Sequence, residues 1–523
     1  MKNTLLISLV LIFTLSTSAQ VSEKYKKSIK WFELDQTKHS TPTLLGSNFD
    51  NLFLIKALRN KNFIEKYDLG KFDLSNSKEL IYRFRKKTTP FVDAFMIGNT
   101  PVLLTSFYNR KKKINYLFYS TINSKNLVVS SPKVLMQAKI KKGQTRTTLE
   151  SFEFEGLTRT ISDNKWLSMF SFPNPKKARS SKRYYNKFYQ AKIFDGNFEL
   201  TQDVSFEIPF EKFTIKKTVL GNDGTIFLLV DKLVSKKIAK SRKSKLFVEG
   251  RFVLFVDPET GLVETLKIDL ENNEITKELI LKHLKNGNIV VSGLISDEKQ
   301  KGVIGSFSII YNKEHEVISN ETNYFTDNFI KSTWSEKRIK KEKNPKKRKR
   351  QRKPKAKEEP QFYNYYIDNI VELSDGSTVV FAEQYYSYSR TVTYSSSTGG
   401  STVTTDYYYY NDIIAIKYDA KGKLEWEKII SKKQRSINDD GYYLSYFILE
   451  DKESDELSII YNEGEVAVKV NLSADGELLK ENIIEFNEEK KMRLVPKLCT
   501  ELDGGVFLYA KGSKGSKFGV LSF

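Results

Sequence analysis

One short pattern recurs eight times along the chain and limits the fold more than any other feature of the sequence. Each copy is a polar turn, usually of Asp or Asn with Gly, that leads into an apolar run such as "DGTIFLLV" or "DGSTVVFA". Short apolar runs bounded by turn formers are typical of buried β-strands. Because the copies are about sixty residues apart, they predict a repeat protein made of similar β units. The copies begin at Asp50, Gly98, Asp163, Asp223, Asn286, Asp375, Asp455 and Asp503.

A second element follows most of these runs and consists of an alternating strand, a turn and another strand. The clearest copy is "AIKYDAKGKLEWEKII", where Asp and Gly favour the tight turn of an antiparallel hairpin. A preceding strand such as "YYIDNIVEL" (Tyr365–Leu373) supplies the fourth strand of the unit. Four antiparallel strands per unit predict an all-β fold, a β-propeller of eight blades, with seven blades as the alternative. Related hairpins occupy Leu254–Ile268, Val468–Ile483, Lys66–Leu74 and Lys192–Leu200.

The two ends of the chain carry strands that lack a complete unit of their own. "SIKWFELD" (Ser28–Asp35) stands alone near the N-terminus, and "SKFGVLSF" (Ser516–Phe523) is a third strand without a fourth. We expect the N-terminal strand to complete the last blade, because ring closure removes exposed sheet edges. Residues 20–523 are thus predicted to form one domain. Within it, Asn273–Gly287 fits a short helix about as well as a strand.

The first nineteen residues have the layout of a secretory signal. Lys2 precedes the apolar stretch Leu5–Leu15, and small residues lead to Ala19, after which we expect cleavage. The apolar stretch is shorter than the roughly 20 residues that cross a bilayer. The mature chain is therefore predicted to be exported, to the periplasm, the outer surface or the medium. Its single cysteine, Cys499, excludes an intramolecular disulfide and is expected to be a small apolar residue of a strand.

The net charge of +22 comes largely from one segment, Lys337–Lys357, which holds 14 Lys and Arg residues and one Glu. Like-charge repulsion and the lack of apolar periodicity predict a disordered loop inserted between blades five and six. Its alternatives are a solvated loop without a role and a contact with polyanions, which would act by counterion release. The candidate contact residues are Lys346, Lys347, Arg348, Lys349, Arg350, Arg352 and Lys353.

A tyrosine-rich segment, Gln384–Asn411, is the second candidate contact region. Its central turn cluster and flanking alternation predict a long protruding hairpin. Tyrosine is amphipathic and suits exposed contacts with glycan or protein. The alternative is that cross-strand tyrosine pairs only stiffen the hairpin. The candidate contact residues are Tyr386, Tyr388 and Arg390 on one arm and Tyr408 and Tyr410 on the other.

The copy that ends at Trp426 resembles pyrroloquinoline-quinone-type repeats, whose blades carry an Asp, a Gly and a docking Trp in this order. Asp419, Gly422 and Trp426 stand in those places, and Asp257 and Gly261 match the first part. The segments "EQYYSYSR" and "DYYYYNDIIAIKYD" are also similar to secreted bacterial propeller-like proteins. These resemblances imply the fold and structural roles for the five residues, and no activity.

The sequence offers little that points to catalysis. Quinoprotein dehydrogenases of this repeat type carry paired cysteines beside the quinone, which one cysteine cannot supply. "SADGELLK" approaches a sialidase-type turn but is one residue short and lacks the Trp. His39, His283 and His315 are too far apart in sequence for a metal-ligand motif.

We therefore expect no catalytic, cofactor or metal residues. The chain is predicted to be a binding or scaffolding propeller at the cell envelope with a protein, glycan or polyanion partner. The alternative is a propeller enzyme, a hydrolase or oxidoreductase, with its active site on the axis.

Overall fold

The chain is described by a computed structural model. It covers residues 29–33, 42–48, 50–58, 61–71, 73–84, 87–139, 153–159, 165–173, 187–237, 244–270, 275–296, 302–334, 361–396, 399–451, 454–486, 492–502, 505–513 and 515–521. The predicted signal segment 1–19 and the basic loop 337–357, with all seven of its candidate residues, lie outside these ranges, as do Asp163 and Asp503.

Within the described residues the chain is all-β and forms eight successive antiparallel sheets, numbered 1 to 8 from the N-terminus. Sheet 1 contains β2 (Thr43–Asn48), β3 (Asn51–Leu58), β4 (Lys61–Asp68) and β5 (Asp73–Glu79). A small hairpin, β6 (Arg83–Phe84) and β7 (Lys87–Thr88), precedes sheet 2. Sheet 2 contains β8 (Phe91–Ile97), β9 (Thr100–Asn109), β10 (Ile114–Thr121) and β11 (Lys133–Lys139).

Sheets 3 to 5 repeat this four-stranded plan. Sheet 3 contains β12 (Glu153–Arg159), β13 (Trp166–Pro173), β14 (Lys187–Phe194) and β15 (Leu200–Glu207). Sheet 4 contains β16 (Phe213–Leu220), β17 (Ile226–Lys237), β18 (Ser244–Val256) and β19 (Val263–Lys267). Sheet 5 contains β20 (Ile275–His283), β21 (Ile289–Ser296), β22 (Gly305–Tyr311) and β23 (Val317–Tyr324), and the helix α1 (Asp327–Ser332) follows it.

The last three sheets include two with a fifth strand. Sheet 6 contains β24 (Tyr365–Glu372), β25 (Thr378–Ser396), β26 (Gly399–Tyr418), β27 (Leu424–Ile430) and β28 (Gln434–Ile437). Sheet 7 contains β29 (Tyr446–Asp451), β30 (Glu456–Glu463), β31 (Val466–Leu472) and β32 (Leu478–Glu485). Sheet 8 contains β33 (Arg493–Leu494), β34 (Thr500–Leu502), β35 (Gly505–Gly512), β36 (Gly515–Leu521) and the N-terminal β1 (Ile29–Glu33).

The eight apolar runs of the sequence are the second strands of the eight sheets, from β3 in sheet 1 to β35 in sheet 8. The ambiguous interval Asn273–Gly287 contains strand β20 and no helix among its described residues. Cys499 is buried as expected, but it follows a 3-10 helix (Pro496–Leu498) and does not lie in a strand. This helix lies between β33 and β34 and interrupts the edge of sheet 8. The sequence pattern did not predict this interruption.

Each sheet buries apolar side chains against both of its neighbours. Eight clusters of buried residues occur in the described part of the chain, each with members from two adjoining sheets. One of them joins sheets 8 and 1, where the rings of Tyr67 and Phe518 lie 4.8 Å apart edge to face. Strand β1 pairs with β36 along its whole length, from Ile29 opposite Leu521 to Glu33 opposite Lys517.

The connections between strands lie alternately at two ends of the sheets. One end carries the turns from first to second and from third to fourth strand, and we call it the turn end. Hydrogen bonds link these turns across sheets; the Ser374 amide, for example, donates to Asp455 Oδ1 at 2.8 Å. The opposite end, which we call the hairpin end, carries the remaining connections, including the tip of β25 and β26.

The first strands form the inner edge of the sheets. β2 contacts β8, and β12, β16, β20 and β24 contact one another in succession. Each of these first strands breaks register against its second strand, as a β-bulge does. In β24 the break lies between Ile367 and Asn369, which leaves Asp368 unpaired and exposed at the inner edge.

Candidate functional site at the base of the long hairpin

Strands β25 and β26 continue well beyond the other strands of sheet 6. They pair with each other from Thr378 opposite Tyr418 to Ser396 opposite Gly399. The pairing of β25 with its other neighbour, β24, ends at Gln384. The short strand β28 supports part of the projecting arm by pairing with Tyr407–Tyr410. The segment Gln384–Asn411 thus belongs to one long pair of antiparallel strands, whose turn residues 397–398 lie outside the described ranges.

One face of this hairpin carries a ladder of stacked tyrosines. The rings of Tyr386 and Tyr409 are 4.7 Å apart, and those of Tyr388 and Tyr407 are 4.9 Å apart. Arg435 from β28 lies with its guanidinium 5.1 Å from the Tyr407 ring, within cation–π range. Such cross-strand pairs are what is needed if the tyrosines only stiffen the hairpin. Tyr388 is nevertheless 49% exposed, so its ring is also accessible to a partner.

The tyrosines predicted on the second arm lie on the opposite face from this ladder. Tyr408 donates its hydroxyl to Asp440 Oδ1 at 2.7 Å, a bond that raises the pKa of Tyr408 to about 12. Tyr410 stands opposite Tyr385, with ring centroids 4.6 Å apart. The five candidate residues thus form two surfaces, with Tyr386, Tyr388 and Arg390 on one and Tyr408 and Tyr410 on the other.

A buried ion pair stands where the hairpin leaves sheet 6. The Glu383 carboxylate contacts the Lys432 ammonium and accepts a hydrogen bond from the Ser445 hydroxyl at 2.7 Å. Lys432 also donates to Gln434 Oε1 at 2.9 Å. Burial raises the pKa of Glu383 and lowers that of Lys432, because both charged forms lose water. The network fixes β25 to the connection that leads into sheet 7.

Two further carboxyl groups surround the same lysine. Asp368 accepts a hydrogen bond from the Tyr446 hydroxyl at 2.6 Å, and its enclosure by protein raises its pKa to about 7 although the side chain still reaches solvent. Asp412 accepts from the Lys432 amide at 3.1 Å, and burial raises its pKa as well. The buried Tyr365 hydroxyl near Asp412 has no hydrogen-bond partner among the described residues. Three carboxyls beside one ammonium favour retention of a proton.

A cavity of about 940 Å³ is lined by β2 of sheet 1, the end of β8 in sheet 2 and residues 497–502 of sheet 8. Lys497 of the 3-10 helix lines the cavity, and its ammonium lies 5.8 Å from the centroid of the Tyr410 ring. The Lys432 ammonium lies 5.9 Å from the centroid of the same ring, so Tyr410 contacts both a lysine that lines the cavity and the lysine of the buried ion pair. Polar and apolar groups both line the cavity, among them Thr43, Leu44, Met96, Asn99 and Glu501.

The repeat residues occupy turns at the turn end. Asp257 Oδ1 accepts from the amide of Glu259 at 2.9 Å, and Gly261 has a φ of +73°. Asp419 and Gly422 repeat this arrangement, with a φ of +82° at Gly422. Each Asp therefore orders a hairpin turn that only Gly completes without strain.

Trp426 docks onto the next sheet. Its indole Nε1 donates to the Ala474 carbonyl at 2.9 Å, in the turn between β31 and β32 of sheet 7. The half-buried ring lies over Gly476, where a Cβ would come within 3.0 Å of it. The indole thus connects sheets 6 and 7.

Sequence reasoning found the hairpin but missed the charged cluster at its base. Glu383 opens the quoted segment "EQYYSYSR", and Lys432 lies in the connection after β27, yet nothing in their spacing announces a contact. The one local signal for Asp368 is its position in a first strand with a bulge. Of the histidines, His315 contacts Glu264 at 2.6 Å and His283 is buried, while His39 lies outside the described ranges.

Within the described ranges, no group of three or more His, Cys, Asp or Glu side chains is arranged to hold a metal ion. The same residues include no helix long and apolar enough to cross a membrane.

Neither a protein-family model nor a curated protein matches this sequence. Solved structures with a similar fold include the Dos1 propeller, at 9% identity and a TM-score of 0.45 over 95% of this chain and 96% of that one. The propeller domain of the Trilobed protease from Pyrococcus furiosus is similar at 12% identity and a TM-score of 0.31, over 86% and 97% of the two chains. Polysaccharide lyase Uly1 is similar at 10% identity and a TM-score of 0.36, over 84% of this chain and 94% of that one. Identities and TM-scores this low give no information on the activity or partners of this chain.

The sheets themselves indicate the architecture. Successive four-stranded antiparallel sheets packed face to face are the arrangement of a β-propeller.

Proposed function

We propose that this protein is an exported, eight-bladed propeller that binds partners at the cell envelope through its hairpin end and has no catalytic activity. The eight sheets, the cluster between sheets 8 and 1 and the pairing of β1 with β36 support a ring of eight blades closed by the N-terminal strand. The signal-like residues 1–19 support export.

The observation that carries the proposal is the long hairpin itself. Two paired strands of 19 and 20 residues extend past their sheet and expose aromatic and charged side chains. Such an arm contributes little to the core, whereas tyrosine and arginine are enriched at protein contact surfaces. The hairpin is therefore better suited to contact a partner than to stabilise the fold.

The basic segment 337–357 rejoins the described chain beside this hairpin. The Tyr385 amide donates to the Asn364 carbonyl at 2.9 Å, and Tyr365 stands opposite Gln384. The 14 basic residues belong in sequence to the connection between sheets 5 and 6, and the described chain resumes after them at residue 361, close to the hairpin base. A polyanion bound by this segment would lie at the same end of the molecule as the tyrosine ladder.

Deletion of 337–357 tests the polyanion part of the proposal. The deletion variant should elute from heparin at clearly lower salt than the full mature chain, since fewer counterions are released on binding. A variant with the segment replaced by a Gly/Ser linker of equal length is the control for chain connectivity. Elution at an unchanged salt concentration would refute a role for the segment.

A second candidate function, an axial enzyme, is favoured by one specific observation. Asp368 is solvent-accessible, hydrogen-bonded to Tyr446 and has a pKa of about 7, which suits a general acid or base at neutral pH. A hydrolase screen with the wild type and Asp368→Asn would support this candidate if an activity appeared that the substitution abolished.

A further inference from the structure

A second basic surface lies at the hairpin end, on sheet 2 and far in sequence from 337–357. The tip of the β9–β10 hairpin reads "RKKK", Arg110–Lys113, and all four side chains are exposed. The Lys112 amide donates to Asn109 Oδ1 at 3.2 Å, and Lys113 has a φ of 53°. The turn is thus ordered by its own residues and presents its four cations from a fixed backbone.

The small β6–β7 hairpin adds two more cations beside this tip. Phe84 packs against sheet 2, with its ring 5.1 Å from that of Phe107 and 4.6 Å from that of Phe118. Arg83 precedes Phe84, and Lys87 stands opposite it across the hairpin; both basic side chains are exposed. The aromatic contact therefore anchors the two short strands that carry Arg83 and Lys87 against the sheet that carries the first turn.

These six side chains, which we call the basic tip, are not neutralised locally. Among the described residues none of the six forms an ion pair with a carboxylate. By contrast, Lys61 and Lys232, also toward the hairpin end, are paired with Glu79 and Glu249. Six unpaired cations on two adjoining turns give a local positive potential that attracts polyanions.

We propose that the basic tip is a second polyanion-binding site and that its ligand is an acidic polysaccharide. This inference takes only the class of partner, a polyanion, from the proposed function. It does not involve residues 337–357. The tip offers mostly lysines, which act as point charges toward sulfate or carboxylate groups. Nucleic acid is a poorer match, because the rings of Phe84, Phe107, Tyr116 and Phe118 pack against one another and are to that extent occupied before a base could stack on them.

The test compares two variants that lose the same charge at opposite ends of the molecule. The tip variant carries Arg110→Ala, Lys111→Ala, Lys112→Ala and Lys113→Ala. The control variant removes four exposed lysines from turn-end connections: Lys71→Ala, Lys313→Ala, Lys421→Ala and Lys423→Ala. Binding to heparin is measured by titration at several salt concentrations, with circular dichroism and the unfolding midpoint as checks that both variants fold.

The tip variant should bind more weakly, and the slope of log K against log salt should decrease in magnitude by up to about 3, at roughly 0.7 per lost contact. The control variant should retain the wild-type slope. Equal losses in both variants would mean that only net charge matters and would overturn the proposal, as would unchanged binding of the tip variant. Binding to duplex DNA without binding to heparin at equal charge would overturn the choice of ligand.

The same titration in the 337–357 deletion separates this proposal from the previous one. Tip-dependent binding that persists after the deletion supports the basic tip as a site of its own. If the deletion abolishes all binding and the tip variant has no effect, the basic tip is refuted and the loop remains. If the deletion has no effect while the tip variant binds weakly, the loop is refuted and the tip remains.

Discussion

At the residue scale, Gly261 shows how a missing side chain lets two sheets approach each other. Its φ is +73°, which L side chains rarely adopt, and a Cβ at this position would collide with the Ser205 carbonyl oxygen of sheet 3. Gly464 has a similar φ of +67° but no atom within 4 Å of the position of a Cβ. A substitution at Gly464 would therefore destabilise the fold only through its backbone conformation, whereas one at Gly261 would add a steric clash between two sheets.

We predict that Gly261→Ala destabilises the protein more than Gly464→Ala. Both substitutions place alanine in the left-handed region, which costs about 1–2 kcal/mol. Only Gly261→Ala also forces the turn of sheet 4 away from β15 of sheet 3. Urea unfolding at one temperature measures both, and equal free-energy losses would show that the sheets do not pack as closely as described.

Asp368 couples stability to pH, because its pKa of about 7 lies above the usual 3.8. Between these values the folded protein retains a proton that the unfolded chain releases. The contribution of Asp368 to stability is therefore fully present below about pH 4 and is lost as pH rises through 7. Glu383, Lys432 and Tyr446 face the same carboxyl, so its titration is coupled to theirs.

We predict that Asp368→Asn reduces the fall in stability between pH 5 and pH 8. The amide cannot ionise, so no further negative charge forms beside the Glu383–Lys432 ion pair as pH rises. Urea midpoints of the wild type and the variant at pH 5, 6, 7 and 8 provide the comparison. Parallel pH profiles for the two proteins would contradict the raised pKa.

At the scale of elements, the long hairpin depends on cross-strand tyrosine pairs more than on the core. Tyr386 and Tyr388 stack on Tyr409 and Tyr407, and such pairs contribute about 0.5–1.5 kcal/mol each. That energy stabilises an arm lying outside the eight buried clusters. Local order in the arm can therefore change without global unfolding.

We predict that Tyr386→Ser combined with Tyr388→Ser leaves the melting temperature nearly unchanged, accelerates hydrogen exchange in residues 385–410 and weakens partner binding. Tyr394→Ser is the matched control, since Tyr394 is 59% exposed near the tip of the same arm. A large fall in melting temperature would instead assign the two tyrosines to the core of sheet 6.

At the scale of the whole molecule, the N-terminal strand connects the two ends of the chain. Trp31 of β1 lies over Gly519 of β36, and the Lys517 ammonium is 4.0 Å from the centroid of its ring. Phe486 of the preceding connection contacts the same ring at 6.2 Å. One side chain thus joins β1 to sheet 8 and to the connection from sheet 7.

We predict that Trp31→Ala lowers the free energy of unfolding by about 2 kcal/mol, since the half-buried ring leaves a partial cavity. Hydrogen exchange should accelerate first in residues 515–521, whose edge β1 covers, while β17 and β21 remain protected. Lys30→Ala, at an exposed position of the same strand, is the control. Uniform acceleration in all sheets would show that β1 has no special role in stabilising sheet 8.

Much of the fold could be predicted because strands depend on local chemistry. The turn at Asp375 and the apolar run after it lie within ten residues of each other, so they predict β25 without reference to the rest of the chain. The faces of the hairpin were harder to predict. A register break between Glu383 and Tyr385 places Tyr407 and Tyr409 opposite Tyr388 and Tyr386, and a single-residue shift exchanges the faces.

The order of turns, apolar runs and hairpins along the chain was sufficient to predict an all-β repeat protein and the pairing of β1 with β36, since each strand carries its own pattern. Tertiary structure alone decided which charged groups meet. Glu383 and Ser445 are 62 positions apart, and Phe84 brings Arg83 beside the Arg110 turn through packing. Such contacts depend on how complete sheets pack and on where bulges shift the register, and neither is encoded within a few neighbouring residues.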